Sequence, residues 1–117
     1  MNLEAYKAGF ELLKDLEAGK VNYDQSNIDR CLAGLLIGKL EPDLKSVRVE
    51  LTRTWRQKGK YLTRPELNEL MFLDNWPEPQ KSQIQRYGLS SKERDRNLLL
   101  CLITANRLRK FLEDSEW

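Results

Sequence analysis

Apolar residues recur along this chain three and four positions apart, the spacing that gathers side chains on one face of a helix. Leu3, Tyr6, Phe10 and Leu13 make the first such stripe and predict a helix from about Leu3 to Ala18, with Gly19 as its stop. Residues 22–27 are polar and turn-like. Ser26, with Asp29 three residues on, offers a weaker version of the capping box for a second helix. Ile28, Cys31, Leu32 and Leu35 form its stripe, and Gly38 can take the left-handed position that ends it. Gly34 and Gly38 are four residues apart, a spacing that in a water-soluble chain goes with close packing or a cap.

Pro42 suits the first turn of a third helix, and Asp43 complements the positive pole of its dipole. Leu44, Val47, Leu51 and Trp55 make a narrow seam along it, and Gly59 terminates it. A fourth helix carries the clearest local signature. Thr63 and Glu66 have capping-box spacing, Leu62 and Leu67 fit the hydrophobic staple around it, and Leu67, Leu70 and Met71 then face inward. Residues 74–79 break the pattern. A short fifth helix is expected from about Pro79 to Tyr87, ending at Gly88, with Ile84 and Leu89 placed for a Schellman contact. Ser90 with Glu93 caps a last helix of about Ser91 to Leu112.

The middle of that last helix, Leu98 to Ile103, is six consecutive apolar residues pointing in every direction around the axis. Such a segment wants neighbours on most sides, so it is the expected centre of the fold. It is far shorter than the roughly 20 apolar residues a bilayer span needs. No strand-period alternation, hairpin dipeptide, repeat or low-complexity tract is present. The expectation is therefore all-α: a compact bundle of five to six helices with a buried C-terminal central helix. It forms one domain over residues 1–117, with the Trp76–Pro79 turn as a corner and not a linker.

Composition removes most enzyme classes. The 117 residues contain no histidine, so neither a Ser-His-Asp nor a Cys-His pairing can be assembled. The only cysteines, Cys31 and Cys101, cannot close a zinc site and both sit in apolar helical patterns, as buried thiols do. The Gly-Lys pairs at 19–20, 38–39 and 59–60 lack the other residues of a phosphate-binding loop. Carboxylate pairs such as Glu66 with Glu69, or Glu11 with Asp15, have the spacing of solvated helix surfaces, and a bundle metal site would carry Glu-x-x-His. The expectation is a non-enzyme with no metal, no cofactor and no evident small-molecule substrate. The start of the chain, MNLEAYKAGF, shows no signal-peptide pattern, which makes the expected location cytoplasmic and off the membrane.

Charge order says more than the net charge of +2. Residues 44–64 carry seven basic and one acidic side chain, and residues 80–112 eight basic and two acidic, each block summing to +6. Acidic stretches flank both blocks. Helix dipoles account for cations near helix C-termini, such as Arg56, Arg107 and Lys110, but not for Arg64 or for Lys92, Arg94 and Arg96 at helix starts. In the third helix Lys45, Arg48, Val49, Thr52, Arg53 and Arg56 fall within an arc of about 140° beside the apolar seam. In the last, Arg96, Ile103, Arg107 and Lys110 lie within about 60°. Tyr61 and Tyr87 lie beside the blocks, where a ring can stack on a base or pack on the core.

These features lead to a non-catalytic helical protein-interaction module, an adaptor or small subunit of a larger assembly. Its expected contacts to an acidic partner surface are Lys45, Arg48, Arg53, Arg56, Arg64, Arg94, Arg96, Arg107 and Lys110. The alternative is a nucleic-acid-binding protein that uses the same faces on phosphates with little sequence specificity. A helix-turn-helix is disfavoured, because Leu70 to Leu73 is too apolar for a helix that reads base edges.

Overall fold

A computed structural model of the chain describes residues 1–24, 27–74 and 93–115, without the side chains of 93–96. The described residues contain five helical segments and no β-strand. They are α1 (Leu3–Glu17), α2 (Leu32–Leu40), α3 (Val47–Val49, continuing as a π-helical stretch, Glu50–Arg56), α4 (Arg64–Phe72) and α5 (Glu93–Asp114). The all-α bundle read from the apolar spacing is the fold that forms. The predicted helix over 79–87, the Ile84–Leu89 contact, the Trp76 corner and the Ser90–Glu93 cap lie outside the described residues.

α1 packs against α5 more extensively than any other helix pair, and also against α2; α2 in turn meets α4 and α3. One continuous apolar cluster joins Leu12 and Leu16 of α1, Leu32 and Ile37 of α2, Leu51 and Trp55 of α3, Leu67 and Leu70 of α4, and Cys101, Leu108 and Leu112 of α5. The Asn2 side chain accepts the Ala5 N–H at 2.8 Å and starts α1, and Gly19, at φ +66°, stops it. Gly9 marks the close approach of α1 to α5. A Cβ there would lie 2.7 Å from the Leu112 side chain.

Two helix starts differ from expectation. α2 begins at Leu32, because residues 28–30 form a separate turn on Asn27, whose Oδ1 accepts the Asp29 N–H at 2.9 Å. Ser26 lies outside the described residues. α3 begins at Val47, where the Ser46 hydroxyl accepts the Val49 N–H, and Pro42 sits in a turn closed by Leu44 N–H on the Glu41 carbonyl. Gly34 does provide a close approach, since a Cβ would lie 1.9 Å from the Ile28 carbonyl oxygen. Gly38 does not end α2, which runs on to Leu40.

The fourth helix starts as its local signature dictates. Thr63 and Glu66 exchange both capping-box bonds, and Leu62 and Leu67 are buried. In α5 the outcome is one-sided. Cys101, Thr104, Ala105, Leu108 and Leu112 are buried, but Leu98 and Leu102 are each 41% exposed. The bundle supplies α5 with neighbours over one face, so a helix apolar all round keeps part of its surface uncovered.

Candidate functional site

The basic arc of α3 forms because Leu51 and Trp55 turn inward. Trp55 is fully buried and Leu51 nearly so, and that rotation places Arg48, Arg53 and Arg56 at the surface; Lys45, expected on the same helical arc, is exposed too but lies before the start of α3. Val49, within the same arc, is 49% exposed. α3 is π-helical from Glu50 to Arg56, with the Thr54 hydroxyl donating to Glu50 at 3.2 Å inside the stretch. Arg56 leans across to α4, its guanidinium 3.3 Å from the Met71 sulfur. Phe72, next to Met71 in the chain, is 65% exposed.

Arg64 joins this group by an unexpected route. Its guanidinium donates to the Arg56 backbone carbonyl at 3.5 Å, so a cation at the positive end of α4 is held at the negative end of α3. The structure thus brings Arg56 and Arg64 together.

Four cations elsewhere in the chain are tied to carboxylates. Lys39 is bonded to Asp15 at 2.7 Å, Lys60 to Glu41 at 2.7 Å and Arg30 to Asp24 at 3.4 Å, and Arg109 is paired with Glu17. Lys45, Arg48, Arg53, Arg56 and Arg64 form no ion pair among the described residues.

The α5 cations have a different setting. Arg107 and Lys110 line a cavity of about 320 Å³ with Glu69, Leu73, Phe111 and Asp114, so carboxylates share the space. Arg107 is half-buried and its charge acts on Asp74. α4 stands between the two basic groups, its Met71 on Arg56 and its Glu69 and Leu73 in the cavity with Arg107 and Lys110. The side chains of Arg94 and Arg96, together with Tyr87, lie outside the described residues.

Tyr61 belongs to the core side of the alternatives left open for it. It occupies left-handed space at φ +69°, its carbonyl accepts the Asn2 N–H at 2.9 Å, and its hydroxyl donates to Glu41 at 2.5 Å. Its ring lies 5.3 Å from that of Trp55. A strained backbone persists where several contacts fix it, and these contacts hold the ring against the core instead of offering it to a base. Hydrogen bonds from Lys60 and Tyr61 hold the Glu41 carboxyl below its usual range.

Sequence reasoning missed one buried constellation. The Asp74 carboxylate accepts the Tyr23 hydroxyl and the Leu32 N–H, the latter at 3.3 Å. Burial pushes the Asp74 carboxyl up, while the Tyr23 hydroxyl, the Leu32 N–H and the Arg107 charge act in the opposite sense. Burial, reinforced by the neighbouring Asp74 charge, also pushes the Tyr23 hydroxyl above the usual tyrosine range. In the sequence Asp74 was only the first residue of a helix-breaking run, and nothing local tied it to Tyr23 or Leu32.

Cys31 and Cys101 are buried free thiols, both pushed up by burial. Among the described residues no three carboxylate or thiol side chains cluster so as to hold a metal ion, and no helix is long and apolar enough to cross a membrane. No protein-family model, no curated protein and no solved structure matches the chain.

Proposed function

We propose that this protein is a non-catalytic, cytoplasmic interaction module, an adaptor or small subunit that docks on an acidic protein surface through the exposed face of α3. The observation that carries this reading is a concentration of exposed, unpaired cations. Lys45, Arg48, Arg53, Arg56 and Arg64 lie within one short stretch of the chain, all exposed, and meet no carboxylate among the described residues. Exposed arginines beside an exposed Phe72 and Val49 have the composition of a protein-binding hot spot, where a charged rim surrounds an apolar anchor. Phosphate backbones would be attracted by the same cations, which makes nucleic acid the competing ligand. Against it stand the net charge of +2 and the inward commitment of Tyr61.

The test uses Arg48→Glu with Arg53→Glu, two exposed residues clear of the Leu51–Trp55 seam, so the melt should stay within a few degrees of the parent. The expected result is loss of a protein partner on the double reversal, with no appreciable binding of random-sequence duplex or single strand by the parent near physiological salt. Nucleic-acid binding with a log–log salt slope of about −3 to −4, flattened by the reversal, would replace this reading with the alternative.

A further inference from the structure

The outward face of α1 carries a charge pattern that its own fold leaves unused. Glu4, Lys7, Glu11 and Lys14 are all exposed, and none forms an ion pair among the described residues. Beside them Leu3, Tyr6 and Phe10 form an apolar strip. Leu3 is 43% exposed, and the Tyr6 and Phe10 rings meet edge to face at 4.9 Å. The strip, with Lys7, Glu11 and Lys14, lines a surface groove of about 610 Å³. At 100° per residue, the apolar strip spans about 60° of the helix and the four charges the adjacent 80° or so.

We infer that this face binds a second copy of the same chain, with the two α1 helices antiparallel about a two-fold axis level with Gly9. The charge order decides both the partner and the direction. The signs alternate from Glu4 to Lys14, and the spacings of three, four and three residues read the same in either direction. Antiparallel pairing centred on position 9 therefore sets Glu4 opposite Lys14 of the second copy, and Lys7 opposite its Glu11. Every opposed pair is then of unlike sign.

The two flanks agree with that direction. In an antiparallel two-fold pair, each flank of a helix meets the same flank of its copy. Charges then meet charges, and Phe10 packs near Phe10 of the second copy. A parallel pair would set the charged flank against Tyr6 and Phe10, leaving charges on apolar surface. A contact limited to one helix falls in the small, weakly binding class of interfaces, below about 1,200 Å². The α3 face is on a different element and takes no part.

Sedimentation from about 10 to 500 µM tests the arrangement, a range suited to an interface of this class. The parent should show a reversible monomer–dimer equilibrium that weakens with salt. Lys7→Glu alone and Glu11→Lys alone each place like charges in opposition twice, and each should weaken dimerisation about tenfold. The double exchange, Lys7→Glu with Glu11→Lys, should restore it to about the parent level, because position 7 faces position 11 in this register and in no parallel one. Thermal melts of all three confirm that they fold. A parent that stays monomeric across the range overturns the inference. So does a dimer indifferent to Lys7→Glu, or a double exchange as weak as the single changes.

Discussion

The Asp74 carboxylate, just past the end of α4, accepts the Leu32 N–H at 3.3 Å and so caps α2 from 42 residues away. The residue in the N-cap position, Cys31, makes no side-chain bond to the helix. The first N–H groups of a helix need acceptors, and here the fold supplies one where the local sequence does not.

Asp74→Ala removes an acceptor shared by the Leu32 N–H and the buried Tyr23 hydroxyl, so it should cost about 1–3 kcal/mol in chemical denaturation. Asp74→Asn keeps an acceptor oxygen and should cost less. The two variants also separate capping from charge. A carboxyl raised by burial holds its proton more tightly in the folded state. Its contribution therefore favours folding below its ordinary value of 3.8 and is lost as pH rises through the raised folded value. Melts of Asp74→Asn between about pH 3.5 and 7 should lack that fall. An unchanged pH profile would remove Asp74 as its source.

Glu66 slopes the other way. It bonds the Met1 ammonium with both oxygens at 2.8 Å and the Thr63 N–H at 2.9 Å. Burial opposes ionisation, but the ammonium and the Thr63 bonds outweigh it and hold the carboxyl low. Its contribution is present above the usual 4.5 and lost as pH falls through the depressed folded value. Glu66→Gln can keep the capping bond while losing the ion pair, a cost of about 1 kcal/mol near neutral pH. Measuring it in the Asp74→Asn background keeps the two acid slopes apart.

The indole N–H of Trp55 is buried without a hydrogen-bond partner among the described residues. Trp55→Phe removes an unsatisfied donor along with some volume, and the two effects offset, so the loss should stay under about 1.5 kcal/mol. Trp55→Ala leaves a cavity in the same place and should cost about 3–5 kcal/mol. Equal losses for the two would mean that the N–H is satisfied in solution.

A charge scan of α5 should follow its one-sided burial. Leu108→Asp, at a position 1% exposed, should abolish the cooperative melt, since an unpaired buried carboxylate costs several kcal/mol. Leu102→Asp, 41% exposed, should leave a cooperative melt with a lower midpoint. Loss of folding in both would show that a further surface covers Leu102.

What was legible in the sequence follows from how local each device is. The Thr63–Glu66 box and the Gly19 stop are complete within a few residues, so spacing alone finds them. The start of α2 was misplaced because its cap comes from Asp74, a long-range fact that no window around Ser26 contains. Arg64 looked unfavourable by the helix-dipole rule until the end of α3 came to meet it. The apolar run from Leu98 to Ile103 announced a core helix correctly, but a run apolar in every direction cannot say which side the neighbours take. For the α3 arc, the exposed positions of Arg48, Arg53 and Arg56 were readable from the Leu51–Trp55 seam. Their lack of carboxylate partners was not, because pairing depends on which helices lie alongside.

The packing of α1 on α5 also sets an order of events in the cell. α1 is synthesised before α5, the helix it packs against most. At roughly 5–20 residues per second the interval is on the order of ten seconds. Throughout it Leu12 and Leu16 have no α5 to cover them. A nascent chain with such a stripe is the kind that ribosome-associated chaperones hold, and α1 is where they would compete with folding.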